Sequence, residues 1–256
     1  MPGPMAMPFV EDTYLFATRG MAGATGNWYC GLHEAAEMGF ALHFLRPGDL
    51  FLDVGANIGS YSILAAGGVG TQVIAVEPIP ATFAKLNRNV LLNGLAARIE
   101  SHCIGLANEK STLSFTQDQD TINHVAAVTE THSSLQLPVT TMDMLLAGRV
   151  PAVIKIDVEG YEHSVMAGAT MTLSNPGVAA VIMELNGSGA RYGISDDKLL
   201  AQMREFGFTP YTYDPRLRYL KDWSHSCDNA IFVRDPRTIN DRTTQSTRYR
   251  LVTGTI

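Results

Sequence analysis

Cysteine is scarce in this chain: Cys30, Cys103 and Cys227 are odd in number, far apart and without a C-x-x-C pair. That speaks against a disulfide framework and gives no support to a zinc site. A basic surplus is missing as well, since 19 Lys and Arg stand against 25 Asp and Glu, a formal charge of −6 with histidine neutral. Broad contact with nucleic acid or with an anionic membrane needs a clustered basic footprint, so neither is an expected partner. The first basic residue is Arg19, behind the proline-bearing start Met1-Pro2-Gly3-Pro4-Met5-Ala6-Met7-Pro8, which is unlike a signal peptide. No apolar run approaches the roughly 18 residues needed to span a bilayer. A soluble cytoplasmic protein is expected.

What is present is a core-forming composition. At 46% hydrophobic and 17% charged residues, the chain is too apolar for disorder and too mixed for a membrane bundle. From residue 50 onward, short β-rich runs alternate with segments of helical period, the pattern of βαβ units in a mostly parallel sheet. Leu50–Val54, Gln72–Glu77, Arg98–Ile104, Ala152–Asp157, Ala179–Glu184 and Asn229–Val233 read as strands. Ile79, Phe83, Leu86 and Val90 mark a helix that stops at Asn93-Gly94, and His163 to Leu173 reads as another. Ser195 is placed to cap a helix carrying Leu199, Met203 and Phe206, closed by Gly207. Between residues 105 and 151 polar, Thr-rich segments predict an antiparallel excursion. The expected organisation is one domain over 1–256: a cover at 1–46 with one helix near Glu34 to Leu45, an α/β core at 47–234, and a polar surface extension at 235–256.

The chemistry gathers where predicted strands end. Asp53-Val54-Gly55-Ala56-Asn57-Ile58-Gly59-Ser60-Tyr61 sits at a strand-to-helix turn, the place where an open α/β sheet binds ligands. Gly55 and Gly59 are four apart, not the G-x-G-x-x-G that packs a pyrophosphate on a helix N-terminus, so a dinucleotide is disfavoured. Glu77 ends the next strand, where a carboxylate can accept both hydroxyls of a ribose. Ile154-Lys155-Ile156-Asp157-Val158-Glu159-Gly160 closes the central strand, so Asp53, Glu77, Asp157 and Glu159 are expected to crowd one crevice. Glu159 could instead cap the helix that follows. No pair of histidines has H-E-x-x-H or similar spacing, and no metal is expected, although paired acids can take Mg²⁺ through their oxygens.

These motifs, with Glu77-Pro78 and Gly168-Ala169, closely resemble the FkbM family of S-adenosylmethionine-dependent methyltransferases from about Trp28 to Val233. The family pattern usually has an aromatic before Tyr61; Ser60 stands there in this chain and leaves more room. The resemblance implies the class I methyltransferase fold: a Rossmann-like, seven-stranded, mostly parallel sheet with helices on both faces and an antiparallel last strand. It implies S-adenosyl-L-methionine as cofactor, with Asp53, Gly55, Ala56, Asn57, Gly59 and Tyr61 about its methionine end and Glu77-Pro78 at the ribose. Ile104 and Gly105 would cover the adenine, and Asp157 would face the methionine end or the acceptor.

The implied reaction is methyl transfer to a hydroxyl of a small molecule, a natural product or sugar. Base candidates are Asp157, Glu159 and His124, with Glu184 a further acid, since a base placed near the acceptor proton is worth about 10²–10⁴ in rate. Trp28, Tyr29, Glu34, Glu159 and Glu184 are the expected acceptor contacts, with Trp28 and Tyr29 equally able to serve as packing. The alternatives are N-methylation on the same fold, an NAD-dependent oxidoreductase in the same crevice, and a cofactor-binding protein without catalysis.

Overall fold

A computed structural model describes residues 4–18, 21–116, 123–127 and 133–256. Its centre is an eight-stranded sheet whose members are β3 (Leu50–Val54), β4 (Gln72–Val76), β5 (Ile99–His102), β9 (Val153–Ile156), β10 (Ala180–Glu184), β11 (Thr209–Asp214), β12 (Tyr219–Asp222) and β13 (Asn229–Val233). The spatial order is β12-β11-β13-β10-β9-β3-β4-β5. Strands β5, β4, β3, β9 and β10 run parallel, and β13 enters antiparallel between β10 and β11. This is the class I methyltransferase arrangement that the resemblance implies, with the hairpin strand β12 added at one edge and the count therefore eight rather than seven.

The strand sequences explain the layering. A parallel sheet covered on both faces needs nearly continuous apolar strands, and alternate residues sort into two cores. Phe51, Val73, Ala75, Val153, Ile182 and Ile231 pack on one face. There they meet α2 (Ala35–Phe44), α3 (Ser60–Ile63) with its π-helical continuation Leu64–Val69, and α4 (Pro80–Leu92). Leu52, Val54, Ile74, Ile154, Ile156, Val181 and Met183 pack on the other, against α5 (Met142–Leu146), α6 (Glu162–Ala167), α7 (Thr170–Ser174) and α8 (Asp196–Glu205). Ser195 caps α8 as expected, its Oγ accepting the Lys198 N–H. The single helix expected over 163–173 is two, broken at Gly168-Ala169.

Three segments depart from the sequence reading. The N-terminal cover holds a hairpin, β1 (Met5–Pro8) and β2 (Tyr14–Ala17), and the helix α1 (Ala22–Cys30), besides the expected α2. Backbone N–H groups of Tyr14 and Phe16 on β2 donate to Asn93 and Asn89 at 2.7 and 2.8 Å, which closes an otherwise open strand edge. The stretch from 235 is not merely surface: α9 (Pro236–Thr244) is capped by Asp235 and buries Ile239 and Thr243. The excursion is, among its described residues, β6 (Gly105–Leu106), β7 (Ser111–Thr116) and β8 (Ser134–Thr140), with β7 and β8 antiparallel. His132 and the rest of 117–122 and 128–132 lie outside the described residues. No described helix is long and apolar enough to cross a membrane.

Candidate active site

Two adjoining cavities open at the carboxyl ends of β3, β4 and β9. The first, about 610 Å³, is lined by Gly55, Asn57, Glu77, Pro78, Gly105, Leu106, Phe115, Asn123, His124, Val125, Asp157, Glu159 and Tyr161, with Val54, Val76 and Val158. The second, about 800 Å³, is lined by Asn27, His33, Glu34, Met38, Ala56, Ser60, Tyr61, Lys155 and Glu184, with Gly23 and Ile58. Gly55, Asn57, Asp157 and Glu159 belong to both.

The wall between them is built by close approach of two strand exits. Gly55 has φ +77°, and a Cβ there would lie 1.8 Å from the Asp157 carbonyl oxygen, so only glycine lets the β3 and β9 exits touch. The Gly55 and Ala56 N–H groups both donate to the Val76 carbonyl, at 3.0 and 2.9 Å. Asn57, also left-handed at φ +50°, turns its N–H onto Glu77 Oε2 at 3.0 Å, while Ile79 N–H donates to Oε1 at 2.9 Å. Glu77 thereby ties β3 to β4, and each of its oxygens keeps a lone pair for a ligand. Burial, only partly offset by those two N–H groups, pushes its carboxyl up to about 7.

A charged cluster floors the second cavity. Lys155 is the one charged residue of β9 and is 5% exposed; its Nζ lies 2.8 Å from Asp157 Oδ2 and 5.0 Å from the Tyr61 ring centroid. Burial alone would discharge it, but Asp157, Asp53 and Glu34 together hold its ammonium above the ordinary lysine range. Asp157, Glu159 and Glu184 each place a carboxylate oxygen within 4.8 Å of the others. Burial first, then the neighbouring Asp157 and Glu162, push Glu159 up to about 7. Burial, Asp157 and Glu159 move Glu184 in the same direction. Tyr61 donates its hydroxyl to Glu34, closing the cover onto α3.

Most expected site residues converge, and several do not. Asp53 is fully buried and lines neither cavity; its Oδ2 accepts the Ser62 hydroxyl at 2.6 Å. It is paired in register with Lys155 across β3 and β9, so it acts as a counter-charge under the site rather than as a fourth acid in the crevice. Gly59 and Ile104 line neither cavity either; Gly59 abuts Leu86, and Ile104 packs on the second core. Trp28 packs on Met7, Ala17 and Ile58, Tyr29 is 75% exposed, and neither lines a cavity. His124 lines only the first cavity, with Glu77, Asp157 and Glu159. Glu159 does not cap α6, whose start at Tyr161 has no side-chain cap; Glu162 instead ties the preceding loop to the helix, its Oε1 accepting the Val158 and Gly160 N–H groups at 3.1 Å each. This leaves Glu159 itself in the left-handed region at φ +56°, with its side chain lining both cavities.

Residues without an expected role also belong to the site. Phe115, Val125 and Tyr161 give the first cavity its apolar wall, and Asn27, His33 and Lys155 line the second. Only Lys155 carried a sequence signal, a lone charge inside an otherwise apolar strand.

Comparison with known proteins agrees with this geometry. The model of the methyltransferase FkbM domain matches residues 53–210, well over half of the chain. The 31-O-demethyl-FK506 methyltransferase FkbM of Streptomyces tacrolimicus is 27% identical over 198 residues, covering 64% of this chain and 74% of that protein. The hexuronic acid methyltransferase AglP of Haloferax volcanii is 31% identical over 141 residues, 54% of this chain and 56% of that one. Among solved structures, the methyltransferase FkbM from Methylobacillus flagellatus KT superposes with a TM-score of 0.49 at 19% identity, over 76% of this chain and 47% of that chain. The chain thus spans little more than half of the archaeal relative and under half of the solved one. The matched segment runs from the β3 exit through the Lys155-to-Gly160 loop and on into β11, and the chain belongs to the FkbM family of methyltransferases.

Proposed function

We propose that the protein is an S-adenosylmethionine-dependent O-methyltransferase acting on a hydroxyl of a small molecule. The carrying observation is Glu77, fixed by the Asn57 and Ile79 N–H groups at the edge of a cavity that the side-chain-free Gly55 keeps open. The cavity's apolar wall with a few convergent polar groups suits one small ligand, and its donor set suits an adenosine. Glu77 would accept the ribose hydroxyls, Leu106, Phe115 and Val125 would take the adenine faces, and Asn123 and His124 would meet its polar edge. Asp157 and the Gly55–Asn57 turn would hold the methionine end. When bound, the cofactor supplies a methyl group on a sulfonium sulfur, already activated for transfer.

The second cavity would then take the acceptor, with Glu34, Glu159 and Glu184 about its hydroxyls. Asp157 is engaged with Lys155, so Glu159, pushed up to about 7 and lining both cavities, is the better base; it would take up the proton of the acceptor hydroxyl. His124 fits a cofactor contact better than a base. Relatives named for 31-O-demethyl-FK506 and for a hexuronic acid support an oxygen acceptor. The test is turnover of S-adenosylmethionine labelled in its methyl group against a panel of hydroxyl- and amine-bearing acceptors. Label in an ether product supports the reading, label only in amines turns it to N-methylation, and stabilisation by NADH but not by S-adenosylmethionine would remove it.

A further inference from the structure

Charge is unevenly distributed along the chain. Although the formal total is −6, residues 234–256 hold five arginines against two aspartates. In the fold this stretch returns to the β11–β12 turn and to the α1–α2 connection, and the three together enclose a groove of about 1250 Å³. Arg216, Arg218 and Arg248 line it with Thr253 and Thr255, and no acidic side chain is among its described lining residues.

The three arginines play different parts. The Arg218 guanidinium donates to the carbonyls of Ser246 and Thr247 at 2.5 and 3.1 Å and to a main-chain carboxylate oxygen of Ile256 at 3.4 Å, which holds the walls together. Arg234, Arg242 and Arg250 are likewise engaged, with backbone carbonyls or with Asp49 and Asp12. Arg216 and Arg248 are exposed, and among the described residues no oxygen accepts from either guanidinium. Two unpaired like charges on one concave surface raise its potential until an anion occupies it. Guanidinium forks match phosphate oxygens in a bidentate way, and threonine hydroxyls supply further donors.

We propose that this groove is a binding site for a phosphate or diphosphate group carried by a small-molecule ligand. It is separate from the acid-lined cavity, although the same connection serves both: Leu32 and Ala35 line the groove, while His33 and Glu34 line the cavity. The proposal does not depend on methyl transfer.

Calorimetric titration of the full chain with inorganic pyrophosphate at low salt tests it. The wild type should bind, and Arg216→Ala with Arg248→Ala together should weaken binding about a hundredfold, about tenfold for each guanidinium. Both positions are exposed, so the double variant should keep the wild-type melting temperature and circular dichroism. Replacing both by lysine keeps the charge, loses the fork and should restore only part of the affinity. Glu77→Gln, in the other site, should leave pyrophosphate binding unchanged, so failure of the cofactor reading would not touch this result. Absence of binding at about 10 mM pyrophosphate, a very weak limit, would overturn the proposal. So would equal affinity in the double alanine variant, or an RNA duplex that binds wild-type protein through these arginines when pyrophosphate does not.

Discussion

Replacing Glu77 by glutamine separates its two roles, because the change keeps size and shape but removes the charge. In the wild type each carboxylate oxygen accepts one backbone N–H, from Asn57 or Ile79. A glutamine must turn its NH₂ toward one of those donors, leaving a buried N–H unpaired, which destabilises by about 1–3 kcal/mol. Against that, the wild-type carboxyl titrates near 7 in the fold instead of 4.5, so above pH 7 its ionisation withdraws about 3 kcal/mol from stability. The two effects nearly cancel at pH 8, where urea denaturation should find the variant close to wild type. At pH 5.5 the wild-type group is still protonated in the fold and only about 1.4 kcal/mol has been withdrawn, so the variant gains less relief and should be less stable or equal. Cofactor binding behaves differently. Ribose hydroxyls donating to a carboxylate contribute about 1.5–3 kcal/mol per charge-assisted bond, so calorimetry at pH 8 should show S-adenosylmethionine binding weakened by about tenfold to a hundredfold. Wild-type affinity should fall as pH drops below about 7, because binding selects the ionised carboxylate, whereas the variant lacks this dependence; the ratio of the two removes any titration of the cofactor itself. Equal affinities at pH 8, or a ratio constant from pH 5.5 to 8, would refute the ribose assignment.

Other outcomes follow from the same geometry. Gly55→Ala forces a methyl group to 1.8 Å from the Asp157 carbonyl at φ +77° and should lower stability by about 3 kcal/mol or more in denaturant titration. Lys155→Met leaves Asp53 and Asp157 without their buried cation and should remove about 3–5 kcal/mol; a double-mutant cycle with Asp53→Asn should show positive recovery. Burial pushes the carboxyls of Glu37, Glu77 and Glu162 from 4.5 up to about 7 in the fold. Their protonated forms favour the fold below pH 4.5, and that contribution is lost as pH rises through 7, so the melting temperature should fall between pH 5 and 8, and Glu37→Gln should flatten the fall. Glu159→Gln should cut kcat by about 10²–10⁴ and remove the limb of the pH–rate profile near 7; an unaltered kcat would exclude Glu159 as the base.

The strands were readable because a sheet covered on both faces demands apolar runs, and Leu50–Val54 and Asn229–Val233 are found as expected. Strand β11 gave no such signal: Thr209–Asp214 carries Pro210 and alternates threonines with Tyr211 and Tyr213, and proline inside a paired strand argues against the assignment. The glycine turn and Glu77 were legible because both lie at strand ends, where chain position and spatial position coincide. Asp53 was misplaced for a related reason. Standing inside the strand, it obeys the alternation of the pleat and points with Phe51 to the helix face, toward Ser62. Asn27, His33 and the arginines of the groove reach their places through tertiary contacts between segments far apart in sequence. No local periodicity encodes those contacts.

The raised carboxyls carry a further consequence for how site and stability are linked. Glu77, Glu159 and Glu184 line the cavities, and burial is the first cause of the upward shift in each. At neutral pH the empty protein therefore holds part of this set protonated, or bears the strain of ionising it. Lys155 relieves that strain only in small part, because Asp53 and Asp157 already flank it. A ligand bringing positive charge or hydroxyl donors favours the ionised forms, so its binding must expel protons and add stability in the same event. A sulfonium cofactor meets the first condition and a polyhydroxylated acceptor the second. Glu159, on the wall common to both cavities, is the group whose proton each of them would displace.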